Sequence, residues 1–325
     1  MPFKIGTIEI GPGAALAPMA GVTGSPFRLL AREQGCPLVF SEMVSAKGLV
    51  YKGRRSRELL QFSERERPIG LQLFGSDPGI IAEAASILVA EKPDFIDLNF
   101  GCPTRKITCN GDGGALLRSP ELCRRIFRAI VASVPIPVTV KIRKGWDEES
   151  VNAVEIASIA EEEGISAVTV HGRTVAQGYS GRADWSVIAV VKSALTIPVI
   201  GNGDVDSPLA AEELIRQSGV DAVMIGRAAR GNPWIFRDVL ARQLGKAPPA
   251  PPALPEIKKM ILRHFKLLID FKGEAAAARE MRSHIAWYLK GFPGAAALRK
   301  QLALISSYTE AQALLESLPA SDSNI

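Results

Sequence analysis

Cys102 sits in the run Asn99-Phe100-Gly101-Cys102-Pro103, after a short apolar stretch and ahead of a proline, on a loop expected to face a pocket. A thiol is mostly protonated near neutral pH and can donate a proton as a general acid, whereas the thiolate would be a nucleophile. Free cysteines are more often inert core residues, and Cys36, Cys109 and Cys123 are read that way. Lys141 ends the run Val138-Thr139-Val140, so its ammonium must meet an anion or a polar cluster to offset desolvation. Three readings fit: the N1/O2 edge of a reduced flavin, a Schiff base with a carbonyl substrate, or a structural salt bridge. Gln72 offers both a donor and an acceptor, matching the N3–H and O4 edge of a flavin or a uracil. His171 is the one histidine before residue 246 and ends an apolar run, two residues ahead of Arg173. The glycine-bearing runs Gly201-Asn202-Gly203-Asp204 and Ile225-Gly226-Arg227 can present backbone N–H groups to a phosphate, with Arg227 adding a bidentate cation. Such glycines are also ordinary turn residues.

All of these residues end apolar runs. Runs at 14–17, 38–41, 69–74, 95–99, 138–142, 167–171, 198–201 and 222–226 read as strands, and stretches such as 78–91, 120–132, 150–163, 185–194 and 208–217 have helical spacing. Eight strand-then-helix units predict a closed parallel (β/α)8 barrel, whose chemistry lies at the carboxyl ends of the strands. No GxGxxG follows the first strand, which disfavours a doubly wound sheet. Taken in order, the strand ends carry Pro18-Met19-Ala20-Gly21, Ser41-Glu42-Met43, Gln72, Asn99 with Cys102, Lys141 with Arg143, His171 with Arg173, Asn202-Gly203-Asp204 and Gly226-Arg227. The expected division is a barrel domain over 1–245, a proline-rich linker over 246–255 and a small all-helical domain over 256–325. Helical spacing there covers 255–271, 275–290 and 295–306.

The net charge of +5 is uneven. Residues 1–245 hold 28 basic and 27 acidic side chains, and residues 246–325 hold 11 and 7. A basic tail suits an anionic macromolecule such as RNA, or is simply a solvated helical surface. Four cysteines without a CxxC pair and three histidines give no zinc pattern, so no metal is expected and free thiols in a reducing compartment are. No leader and no apolar run of membrane-spanning length is seen, and a soluble cytosolic protein is expected.

The chain resembles the tRNA-dihydrouridine synthases, nearest their bacterial B-type branch. The resemblance rests on Leu16-Ala17-Pro18-Met19-Ala20-Gly21-Val22-Thr23, Gln72-Leu73-Phe74-Gly75, Asp97-Leu98-Asn99-Phe100-Gly101-Cys102-Pro103, Val140-Lys141-Ile142-Arg143, Val170-His171-Gly172-Arg173-Thr174, Gly201-Asn202-Gly203-Asp204 and Gly226-Arg227-Ala228, which span the barrel in order. It implies FMN held by Pro18, Met19, Ala20, Gln72, Lys141, His171, Asn202, Gly203, Asp204, Gly226 and Arg227, with Cys102 as general acid and with Asn99 and Arg143 near the target uracil. It further implies NADPH as reductant, tRNA as partner and position 17 of the D-loop as target; a monomer is the default expectation. A flipped-out base requires an RNA clamp outside the pocket. The helical domain, with Lys258, Lys259 and Arg263, and the cluster Lys52, Arg54, Arg55 and Arg57 are candidates. Competing readings are an FMN-dependent dehydrogenase of a free pyrimidine such as dihydroorotate, a Schiff-base phosphosugar lyase, and a non-catalytic RNA-binding module.

Overall fold

Proline at the head of a helix fits because its missing N–H lies among the donors that have no intrahelical partner. That chemistry opens Pro78–Val89, Pro120–Ser133 and Pro208–Ser218, and the first and last are also capped, by Asp77 on the Ile80 N–H and by Ser207 on the Ala210 N–H. The computed structural model describes residues 2–292, 298 and 301–318, the Arg55 side chain excepted. Its strands are β1 (Phe3–Ile5), β2 (Ile8–Ile10), β3 (Ala14–Leu16), β4 (Val39–Phe40), β5 (Val44–Ser45), β6 (Ile69–Phe74), β7 (Phe95–Phe100), β8 (Val138–Arg143), β9 (Ala167–His171), β10 (Val199–Asn202) and β11 (Ala222–Ile225).

Eight staves pair side by side in parallel, in the order β3, β11, β10, β9, β8, β7, β6, β4. A 2.9 Å hydrogen bond from the Leu16 N–H to the Leu38 carbonyl spans the remaining seam. The (β/α)8 barrel expected from the apolar runs is the fold. The stave after the first helix is split: β4 and β5 both pair with β6, and Ser41-Glu42-Met43 leave the ladder between them. Ser41 Oγ accepts the Gln72 N–H at 2.9 Å, a side chain standing in for a backbone partner. The β1–β2 hairpin, which was not foreseen from the sequence, buries Ile5 and Ile10 against Leu38, Phe40, Phe95 and Ile200. Its strands have three residues each, too few for a period to show.

Outside the staves, one continuous apolar cluster joins strands to helices and includes Leu71, Leu98, Phe100, Phe127, Val140 and Ile156. Phe100 and Phe127 stack with centroids 5.0 Å apart. A second cluster belongs to the C-terminal helices Leu254–Lys272, Glu274–Tyr288 and Tyr308–Glu316. The first of these begins at Leu254, with Pro255 in its opening turn, and so takes up the last two residues of the expected linker. Of the helix expected over 295–306, residues 295–297, 299 and 300 lie outside the described residues; Leu298, Gln301 and Leu302 are helical, and 303–306 are turn and coil. Trp234, from the last barrel helix Trp234–Gln243, is buried in the second cluster and donates its indole N–H to Glu256 Oε1 at 2.7 Å. Gly231, at φ +67°, lets the barrel backbone approach Trp287 and Tyr288, because a Cβ there would lie 2.3 Å from the Trp287 carbonyl carbon. Among the described residues no helix is long and apolar enough to cross a membrane.

Helix Ser25–Glu33 lies between barrel and tail. Its Phe27 faces the His264 and His284 rings, and Glu33 pairs with Arg263. On its other side Arg28 and Glu66 form a fully buried ion pair at 2.5 Å. Ser25 Oγ and the Ser63 N–H also donate to Glu66, and Arg28 donates to the carbonyls of Thr23 and Gln61. Breaking a buried pair strands a desolvated charge, so Glu66→Ala should lower the unfolding free energy by about 3–5 kcal/mol. Urea denaturation measures this, and a loss below about 1 kcal/mol would mean that the carbonyls alone satisfy Arg28.

Candidate active site

Alternation along a strand sends every second side chain into the barrel. On β7 these are Asp97 and Asn99, on β6 Gln72, on β8 Thr139, Lys141 and Arg143, on β9 His171 and on β10 Asn202. Register sets Gln72 beside Asp97, Asp97 beside Thr139, Asn99 beside Lys141, and Arg143 beside His171. A cavity of about 860 Å³ opens above them. Its wall includes Cys102, all eleven residues expected to hold the cofactor (Pro18, Met19, Ala20, Gln72, Lys141, His171, Asn202, Gly203, Asp204, Gly226 and Arg227), and Asn99 and Arg143.

One hydrogen-bond chain runs from the barrel interior to the thiol loop. Thr139 Oγ1 and Gln72 Nε2 donate to the two oxygens of Asp97, each at 2.6 Å. Because the carboxylate can only accept, the Gln72 amide is fixed with its oxygen facing Asn99, whose Nδ2 donates to it at 2.8 Å. Asn99 Oδ1 then accepts the N–H groups of Gly101, at 3.2 Å, and Cys102, at 2.9 Å. Asn99 thus shapes the loop that presents the half-buried thiol, and Gln72 is already engaged on both sides of its amide. Burial pushes Asp97 up to about 6, against the opposing pull of Thr139, Gln72 and Lys141.

Arg143 acts as a second brace: it donates to the carbonyls of Gly101, Thr174 and Gly178, tying the Cys102 loop to the loop after β9. Desolvation lowers it to about 10. The adjoining wall is electropositive. Lys141 is half-buried, its one hydrogen bond among the described residues goes to the neutral Asn202 Oδ1 at 2.9 Å, and no described carboxylate lies within 4 Å. Desolvation first, and the charge of Arg143 second, bring its ammonium down to about 7. His171 is held well below its ordinary value by burial and by the cations Lys141, Arg143, Arg173 and Arg227, so the ring is neutral. Gly203, at φ +118°, must lack a side chain, since a Cβ would meet Ala183 at 2.6 Å and the His171 ring at 3.0 Å. The N–H groups of Gly203, Asp204, Gly226 and Arg227 find no acceptor among the described residues. Asp204 is the anion of this wall, pairing with Arg173 at 2.8 Å and Arg227 at 3.4 Å. Free backbone donors beside a cation form a nest for an anion.

Several wall residues were not singled out from the sequence. Tyr179, reached by Arg143 and Arg227 at 5.5 and 4.8 Å from its ring centre, lies eight residues beyond its strand. Lys290 comes from the C-terminal helices, and Arg230, stacked on Trp287, stands beside it. Asp97 was legible in retrospect as an acidic residue two positions before Asn99 on one strand face. The other cysteines are elsewhere: burial raises Cys36 and Cys123 to about 12, and Cys109 is exposed. Of the tail cations expected to meet RNA, Arg263 pairs with Glu33 and Lys258 donates to the Leu318 carbonyl.

Comparison with known proteins agrees with this geometry. The family model for dihydrouridine synthase matches residues 15–323. The tRNA-dihydrouridine synthase B of Pseudomonas aeruginosa is 44% identical over 92% of this chain and 90% of its own length. A probable tRNA-dihydrouridine synthase of Rickettsia bellii is 41% identical over 94% of each chain. Among solved structures, histamine dehydrogenase from Rhizobium sp. 4-9 shares the barrel fold with a TM-score of 0.55 at 14% identity, over 82% of this chain and 50% of that one. With the match covering nearly the whole chain and relatives above 40% identity, the chain belongs to the dihydrouridine synthase family of oxidoreductases.

Proposed function

We propose that the protein is a tRNA-dihydrouridine synthase that uses FMN and NADPH to reduce the C5–C6 double bond of a D-loop uridine, at position 17, acting as a cytoplasmic monomer. The observation that carries this reading is the meeting, in one cavity, of a loop-borne thiol with a desolvated ammonium that has no carboxylate within 4 Å among the described residues. The family match and the names of the relatives point the same way.

The residues present fit FMN. Free N–H groups at Gly203, Asp204, Gly226 and Arg227, with the Arg227 guanidinium, suit its phosphate. Pro18, Met19 and Ala20 supply cavity wall at the first stave, and Gln72 can extend a second hydrogen bond from each end of its amide. Lys141, with the neutral His171 beside it, suits the edge of the ring that gains negative charge on reduction. When bound and reduced, FMN supplies the hydride that adds at C6. Cys102 donates its thiol proton to C5, and the resulting thiolate recovers a proton from solvent. Asn99 and Arg143 lie where they border the uracil, and both also hold the Cys102 loop in place. The helical part beyond the linker is assigned to tRNA contact, with Lys290 at the cavity rim.

Cys102→Ala should retain FMN and tRNA binding yet lower the rate of dihydrouridine formation in unmodified tRNA by about 10²-fold or more. Single-turnover reduction followed by mass spectrometry reads this, and wild-type rates in the variant would remove the proton-donor role. Turnover of free uridine equal to that of tRNA would favour the free-pyrimidine reading.

Lys141 gives a second test. The N1/O2 edge offers acceptor atoms, and hydrogen bonding to the charged form favours it, so the ammonium must be more basic with FMN bound than its value of about 7 without. Between those two values the apo-protein has to take up a proton to bind, and FMN affinity should fall by up to tenfold per pH unit as pH rises above about 7. Flavin-fluorescence titration of the apo-protein from pH 7 to 9 measures the slope. Lys141→Met should bind more weakly with a flat profile. The same slope in that variant would place the titrating group elsewhere.

A further inference from the structure

The rim of the barrel beyond its second stave carries a feature that the cavity does not use. After β5 pairs with the carboxyl end of β6, the chain forms two short helices, Ala46–Val50 and Arg54–Glu58, on the cavity side of the barrel. The loop after Cys102 continues into the short helix Arg105–Thr108, two staves on and past β6. The two sectors meet beside β6: Ala46 lies 3.2 Å from where a Gly75 Cβ would be, and Ser76 lies 3.9 Å from the same point on Gly111.

Across 46–58 and 104–111 the sequence holds seven Lys and Arg residues and one acid, Glu58. Glu58 pairs with Arg54 at 2.8 Å. Lys47, Lys52, Arg57, Arg105 and Lys106 are exposed and make no salt bridge among the described residues. Lys52 occupies the left-handed region, φ 57°, at the turn that ends the first helix, a place that ordinarily favours glycine or asparagine. Beside it Tyr51 is 74% exposed. Other aromatic rings on this side of the barrel are covered by a guanidinium: Tyr179 by Arg143 and Arg227, Trp146 by Arg118, Trp287 by Arg230. Among the described residues no cation covers Tyr51.

An open aromatic face within a field of unpaired cations matches an unpaired stretch of RNA, whose bases stack on the ring while its phosphates meet the charges. We propose that the arm 46–58, together with Arg105 and Lys106, is a second RNA-binding face, which holds unpaired nucleotides beside the target base. Tyr51 stacks on one base, and Lys52 and Arg57 neutralise phosphates. The proposal rests on RNA being the substrate. It adds a barrel-borne anchor to the contacts assigned to the helical part.

The experiment is equilibrium binding of an in vitro transcript of an unmodified tRNA to the FMN-loaded full-length protein, over a range of salt concentrations. Lys52→Gln with Arg57→Gln should weaken binding about tenfold and reduce the slope of log affinity against log salt by about 1.4, the value for two phosphate contacts to single-stranded nucleic acid. Tyr51→Ala should weaken binding about fivefold or more without changing that slope, and Tyr51→Trp should restore it. Lys4→Glu, on the hairpin, should change neither. Wild-type affinity and slope in the rim variants, while the wild-type protein still reduces the transcript, would overturn this proposal and leave the function intact. A wild-type protein that neither binds nor reduces the transcript would overturn both.

Discussion

A carboxylate inside a barrel is costly unless every lone pair is used, and Asp97 is the point from which this site is arranged. Two donors, Thr139 and Gln72, take its oxygens, and this decides which way the Gln72 amide faces. The amide decides the orientation of Asn99, and Asn99 decides the path of the backbone at Cys102. Each link is a short hydrogen bond between groups with little access to water, so alternatives would leave a buried polar group unpaired at about 1–3 kcal/mol each. The thiol itself makes only a loose contact, 3.4 Å to Thr104 Oγ1. Rigidity lies in the backbone beneath it and freedom at the reacting atom.

The cationic wall follows a different logic. Arg143, Arg173 and Arg227 each have carbonyl, carboxylate or aromatic partners, but Lys141 has only an amide. Its depressed basicity is what a desolvated ammonium must show beside neutral groups and a second cation. The same cause keeps His171 neutral, which prevents a further charge from entering an already positive cavity. An anionic guest would therefore relieve the wall as well as be held by it.

Much of this was readable from the chain because it depends on local pattern. The eight staves appear as apolar runs, and the residues ending them are those that face the cavity, since strand alternation and barrel closure leave few other places for them. What escaped notice depends on contacts distant in sequence. The hydrogen-bond role of Asn99 needs Gln72, 27 residues away, and the brace from Arg143 reaches carbonyls up to 42 residues distant. Lys290 enters the cavity only because the C-terminal helices fold back, and the split of β4 from β5 shows only once β6 is in place. Charge counting is blind to pairing for the same reason: Arg263 is a cation in the tally and a partner of Glu33 in the fold.

The junction that brings Lys290 to the rim is itself unusual in its polarity. His264 and His284 are buried face to edge with centroids 4.5 Å apart, and both are less basic than a free histidine, His284 falling to about 4. Among the described residues neither ring nitrogen of His284 has a hydrogen-bond partner, while His264 has Tyr288 at 3.4 Å. A charged form of either would be desolvated beside Lys272, so near neutral pH the junction behaves as an aromatic cluster closed by Phe27. Packing of flat rings, unlike a salt bridge, fixes distance as well as attraction. With Gly231 allowing backbone contact on one side and Trp234 reaching across on another, the helical part is held at a set height above the cavity. That height determines where Lys290 meets the cavity wall and where Trp287 meets Arg230, so this part of the rim is inherited from the aromatic junction behind it.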